Sequence, residues 1–156
     1  MTRIALLHTG AVNIGPFAEL TRASWPGTET VNLLDDKIVA DLSTDRAPGV
    51  RERLVAMAKA AATGGADGIL MTCSSISGYA GEMAAESGIP VVRVDEALAD
   101  EATSLGSRIA VVATLSTTLV PSVGIVQERA ALKNVTPEIH EVLVEGAFEA
   151  VVGGDK

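Results

Sequence analysis

The chain has a single cysteine, Cys73, in the run Thr72-Cys73-Ser74-Ser75. A thiolate can act as general base toward a carbon-bound proton if nearby donors stabilise the charge that develops on the adjacent carboxyl group. A cysteine just past a strand and just ahead of a helix lies where N–H groups and the helix dipole stabilise an anion. A free cysteine also serves as a small buried hydrophobe, and from position alone the two roles are balanced. A second hydroxyl-rich run, Thr114-Leu115-Ser116-Thr117-Thr118, suits a carboxylate or phosphate at a helix start, or else simply caps that helix. A third run is His8-Thr9-Gly10-Ala11-Val12-Asn13. There His8 is either an acid/base near a ligand or a strand-end histidine satisfied by backbone groups.

These runs matter because of what must position them. Short apolar segments predict strands at Ile4–His8, Thr30–Leu34, Gly68–Thr72, Pro90–Val94, Arg108–Ala113 and Glu138–Val144. Between them, Ala-rich amphipathic stretches predict helices at Pro16–Ser24, Gly49–Thr63, Ser75–Ser87, Asp95–Leu105 and Thr117–Leu132. Pro16 suits a first helical turn, and Gly64-Gly65, Gly88 and Gly106 suit helix stops. The alternation predicts an α/β fold, a mostly parallel sheet with βαβ crossovers. Open α/β sheets bind ligands beyond the carboxyl ends of their strands, where all three hydroxyl-rich runs fall. The turns after Thr72 and Thr114 are similar to one another. They are expected either to face each other across a cleft or to be neighbours on one sheet edge.

Composition narrows the function. A chain of 156 residues, 47% hydrophobic and 3% aromatic, can bury a sizeable core. A net charge of −8 argues against a broad nucleic-acid surface. No apolar run reaches the ~18–20 residues of a membrane span. The opening Met1–His8 is too short and unflanked for a signal peptide and reads as a strand. One cysteine forms no internal disulfide, which fits a cytoplasmic location. There is no phosphate-binding GxxxxGK[ST] loop and no GxGxxG fingerprint. Cys73, His8 and His140 make no zinc pattern. Asp35 and Asp36 read as a solvated strand-end pair, and Phe17 and Trp25 as core anchors.

The segments MTRIALLHTGAVNIGPF, VNLLDD, GADGILMTCSSISG, RIAVVATLSTTLVPS and GAFEAVVGGD together resemble the aspartate/glutamate racemase superfamily, over nearly the whole chain. The resemblance implies two similar α/β lobes, drawn here at residues 1–105 and 106–156, holding a small carboxylate between them. Racemases of this superfamily use one cysteine from each lobe, one thiolate removing the α-proton while the opposite thiol supplies another. Cys73 matches the first-lobe cysteine, and Ser74 and Ser75 its carboxylate-binding neighbours. Thr114 and Thr117 match the second-lobe turn, and Thr9 and Gly10 the first ligand-facing loop. The second cysteine is absent. The chain stops where a further βαβ segment is expected, its Gly153–Lys156 ending resembling an internal turn of the family, so the second lobe is expected to be incomplete.

The expected function is therefore an isomerase-like reaction on an amino acid or related small carboxylate. Cys73 would move the proton, with His8 or water as the other proton carrier. Thr9, Gly10, Thr72, Ser74, Ser75, Thr114, Ser116 and Thr117 are expected to contact substrate. No metal and no organic cofactor are expected. The alternatives are a one-cysteine decarboxylase of the same superfamily, although there the cysteine belongs to the other lobe, and a catalytically silent carboxylate binder. An incomplete lobe leaves apolar faces uncovered, so a homo-oligomer is expected.

Overall fold

A computed structural model describes residues 1–153. The family-type turn expected at the chain end lies, past Gly153, outside the described residues. Contacts divide the chain into two units between Val94 and Asp95. That is one helix earlier than the boundary drawn from the sequence, because the helix at 96–105 packs on the long helix that follows it.

The first unit is a four-stranded parallel sheet in the order β2-β1-β3-β4. Its strands are β1 (Arg3–His8), β2 (Glu29–Leu34), β3 (Gly68–Met71) and β4 (Val91–Arg93). The central strands β1 and β3 are apolar on both faces, as a doubly covered parallel strand requires. Four helices accompany them, α1 (Ile14–Ser24), α2 (Ile38–Asp41), α3 (Val50–Thr63) and α4 (Ala80–Ser87). Val50, Leu54, Ala58 and Ala61 form the buried stripe of α3 and pack with Ala5, Leu7, Ile69, Met71 and Met83. Exposed pairs flank that contact, Arg51 with Glu82 and Lys59 with Glu86. Alternation along β1 then sends Leu6 and His8 to the opposite face, where the Phe17 ring of α1 stands edge-on to His8 at 6.0 Å.

At its carboxyl end α3 closes in a Schellman turn. Ala66 N–H donates to Ala61 O and Gly65 N–H to Ala62 O, both at 3.0 Å, with Gly65 at φ +79°. Of the two glycines expected to stop this helix, Gly65 is the one that needs the left-handed conformation.

The second unit pairs β5 (Arg108–Ala113) and β6 (Glu138–Leu143) in parallel. With them are α5 (Glu96–Leu105), α6 (Ser116–Leu132) and α7 (Ala147–Val152). Val111, Val123, Ile125, Val126 and Ala99 form its core. Arg129 joins α6 to α5, its guanidinium reaching Asp100 at 2.7 and 2.8 Å and Glu96 at 2.8 Å. Asn134, at φ +56°, takes the place a glycine holds in the Schellman turn that ends α6. Among the described residues no helix is long and apolar enough to cross a membrane.

Candidate functional site

Strand order locates a crevice in the first unit. From β1 the chain leaves toward β2 on one side, and from β3 toward β4 on the other. The loops after β1 and β3 therefore part at the carboxyl edge, which is where open α/β sheets bind ligands. Thr9 and Gly10 follow β1, and Cys73 follows β3 two residues past Met71. Asn13 bridges the two loops, its side-chain amide donating to Thr72 O at 3.5 Å.

Cys73 keeps the extended backbone of the strand, φ −136° and ψ 120°. It is half-buried and packs against the α3/α4 core. The helix expected from Ser75 to Ser87 begins differently. A 3-10 stretch covers Ser74–Tyr79, and α-helix starts only at Ala80. Serine and glycine are poor helix-interior residues because they compete for backbone bonds or leave the backbone free, and Ser74-Ser75-Ile76-Ser77-Gly78 has four of them. In this stretch the Ile76 N–H donates to Cys73 O at 3.4 Å. Ser75 is buried beside Ile76 and Ser77, whereas Ser74 is partly exposed next to the thiol.

His8 is fully buried, and its ring is held by side chains rather than the backbone groups expected from the sequence. Nδ1 lies 2.8 Å from Thr72 Oγ1 and Nε2 2.9 Å from Asn32 Oδ1. Thr72 is itself 6% exposed, and its hydroxyl donates to Leu7 O at 3.0 Å. These bonds occupy the two groups expected to act as an alternative proton carrier and as a substrate contact. Asn32 is itself exposed on the edge strand β2, so nothing in the sequence sets it apart from a residue that faces only water.

Beside this edge, Arg53 of α3 clamps Asp35 and Asp41. Its Nε and Nη2 reach Asp35 at 2.6–2.8 Å, and its Nη1 reaches Asp41 at 2.6 Å. The Arg53 hydrogen bond, reinforced by its charge and by Arg46, outweighs burial and holds the Asp41 carboxyl below its ordinary 3.8. Asp35 is thus an anchored residue rather than the solvated one its sequence suggests.

In the second unit Thr114 and Ser116 are exposed at the carboxyl end of β5, with Thr117 half-buried. The N-cap of α6 is Leu115 and makes no side-chain capping bond. Thr117 Oγ1 is buried with no protein partner, so simple capping does not account for it. The turns after β3 and β5 belong to different sheets and are not neighbours on one sheet edge. A cavity of about 730 Å³ lined by Gln127, Asn134, Val135 and Thr136 opens at the amino end of β6, away from these residues.

Two α/β units, each with a sheet of parallel strands and a hydroxyl-rich turn at its strand ends, define the fold class. Within it, the chain belongs to the Asp/Glu/Hydantoin racemase family, whose profile matches residues 16–153. Comparison with curated proteins gives no match. Among solved structures, an assigned Asp/Glu racemase from Yersinia pestis superposes with TM-score 0.70 at 16% identity, covering 90% of this chain and 64% of that one. Glutamate racemase from Aquifex pyrophilus gives 0.66 at 20% identity, over 90% of this chain and 55% of that one. Arylmalonate decarboxylase gives 0.60 at 17% identity, over 95% and 64%. The likeness at these identities is one of fold. The chain spans less than two thirds of the length of each.

Proposed function

We propose that this chain forms the site of an isomerase-like reaction on a small carboxylate, with Cys73 as the proton-transferring group. The observation that carries the reading is the placement of the one thiol, half-buried at the end of β3 where the β1 and β3 loops part. The thiolate takes the α-proton and becomes a thiol, and the C–H electron pair moves into the carboxyl group to give an enediolate. Ser74 and Ser75 hydroxyls and the N–H groups of their turn stabilise that charge, as do donors of the Thr9-Gly10 loop. Solvent returns a proton to carbon, because the buried His8 ring is already bonded at both nitrogens, and the Cys73 thiol gives its proton back to solvent, which restores the thiolate. Thr72 holds the turn rather than the substrate. Thr114, Ser116 and Thr117 are assigned as ligand contacts of the second unit, on the strength of the unpartnered Thr117 hydroxyl. The reaction as proposed needs neither metal nor organic cofactor; the lone cysteine fits a cytoplasmic protein, and the uncovered apolar faces fit a self-associating one.

A second reading is a decarboxylase, in which the same enediolate arises by loss of CO₂ and is protonated by the thiol. The fold shared with arylmalonate decarboxylase favours it, although the resemblance puts the cysteine of such decarboxylases in the other lobe. Incubation in D₂O with a panel of amino-acid and dicarboxylate substrates separates the outcomes. Deuterium entering the α-carbon, lost in Cys73→Ser while the circular dichroism spectrum is unchanged, is the expected result. CO₂ release from malonate derivatives without exchange supports the lyase. Ligand protection of Cys73 from alkylation with neither reaction makes the protein a binder.

A further inference from the structure

The cluster of buried His8 and Thr72 with Asn32, which is exposed on the edge strand, joins three strands or strand ends, and proton transfer as described leaves it unused. His8 is the only fully buried member, at 0% exposure. A buried imidazole must have both nitrogens satisfied, or the unbonded one carries a desolvation penalty. Here both are, by side chains from β2 and from the residue after β3.

The protons can be counted. The Thr72 hydroxyl has one, donated to Leu7 O, so Thr72 Oγ1 can then only accept from His8 Nδ1–H. A neutral ring has its single proton on Nδ1 in that arrangement. Its bare Nε2 can then accept from Asn32 only with that amide turned over, so that Nδ2–H takes the place of Oδ1 facing the ring. The other neutral tautomer has Nε2–H donating to Asn32 Oδ1, with Thr72 turning its proton from Leu7 O to Nδ1. In each arrangement the Thr72 side chain is tied to His8. Ring tautomer, Asn32 amide and Thr72 hydroxyl are therefore one coupled unit, and Thr72 is the residue that leads the chain into Cys73.

We propose that His8 is a positioning residue for the Cys73 turn, acting through its Nδ1 contact with Thr72, while Asn32 orients the ring from β2. The Thr72 N–H bond to Leu7 O, at 3.0 Å, fixes only the backbone register at that point. The side-chain bonds add the rotational restraint that aims the next residue. Packing works with them, since the Phe17 ring stands edge-on to the imidazole. The proposal rests on Cys73 being the proton-transferring group, but the positioning can be measured without any reaction.

Two substitutions divide the ring's contacts. In His8→Asn the side-chain amide sits where Nδ1 was and can still bond Thr72, but it falls short of Asn32. In His8→Gln the amide reaches the Nε2 position and Asn32, and loses Thr72. The readouts are amide hydrogen exchange of the segment containing residues 72–76 and the pH profile of Cys73 alkylation by iodoacetamide. One net hydrogen bond is worth about a tenfold change in a local opening equilibrium. His8→Gln is expected to speed exchange in that segment about tenfold and to displace the alkylation profile. His8→Asn should stay within about threefold of wild type and keep the profile.

Thr72→Val, which removes the hydroxyl at nearly constant shape, should reproduce His8→Gln, and Thr72→Ser should not. This second pair tests the same contact if a His8 variant fails to fold. Equal effects of His8→Asn and His8→Gln, or the reverse order, overturn the proposal, as does a Thr72→Val protein indistinguishable from wild type. If the exchange pattern holds while wild type shows neither substrate exchange nor decarboxylation, the positioning stands and the catalytic reading fails.

Discussion

At the scale of single residues, the carboxyl edge of the first sheet is held by interactions that spacing alone does not reveal. Arg53 illustrates this, because it collects Asp35 from the end of β2 and Asp41 from α2. The lowered Asp41 carboxyl carries a pH consequence. A carboxylate whose folded value lies below its unfolded one contributes stability that is fully present above the unfolded value and lost as pH falls through the folded one. Wild type should therefore lose this contribution on acidification below about 4. Asp41→Asn should melt lower at pH 7 and show a flatter dependence across that acid range, as checked by thermal unfolding at a series of pH values. Residue types exposed the thiol and the three hydroxyl-rich runs at once. The His8–Asn32–Thr72 contacts stayed hidden, because they join positions 24 and 64 residues apart through side chains. Only the strand register, which sets Leu6 opposite Asn32 and Leu70, brings them together.

At the scale of elements, apolar periodicity was enough to find every strand among the described residues and the main helices. The central strands are short runs of Ile, Ala, Leu and Met, and parallel burial leaves little room for other residues. The short helices Ile38–Asp41 and Ala147–Val152 were not expected, and the start of the helix after Cys73 differs. The four residues Ile38–Asp41 are too few to show a helical period. The Ser74–Tyr79 stretch has the polarity pattern of a helix start but residues that favour tighter, shorter turns. The stops at Gly65 and Gly88 were legible because the left-handed region selects for glycine, whereas Gly106 ends α5 in an extended conformation. Gly65→Ala should cost about 1–2 kcal/mol of stability. An added Cβ would also stand 3.4 Å from Arg3 Nη1. Urea unfolding measures the loss, and Gly65→Asn should recover part of it, as asparagine tolerates that conformation better.

At the scale of the whole molecule, the second unit has a parallel sheet whose faces are unequal. Ile109, Val111 and Ala113 point toward the core, while Arg108, Ala110 and Val112 are exposed on the other face. Val112 is 61% exposed and pairs in register with Val142, itself 41% exposed. Parallel sheets are ordinarily covered on both faces, so an apolar surface of this kind favours association. Light scattering across a concentration series should give a mass above that of one chain, and Val112→Lys should lower it. A stable monomer at high concentration would count against self-association.

The division between Val94 and Asp95 also has an optical consequence. The single tryptophan, Trp25, and the single tyrosine, Tyr79, both lie on the amino-terminal side of it. Intrinsic fluorescence therefore reports on the first unit alone, and the second is silent to it. Trp25, at the end of α1 and 45% exposed, starts partly in water, so its emission should shift only modestly to the red on unfolding. Far-ultraviolet circular dichroism, by contrast, records α5, α6 and α7 together with the helices before them. A melt followed both ways compares one unit with the whole, with no label added. Coincident curves mean that the two units unfold as one cooperative system. A dichroism change that begins before the fluorescence moves would identify the second unit as the weaker.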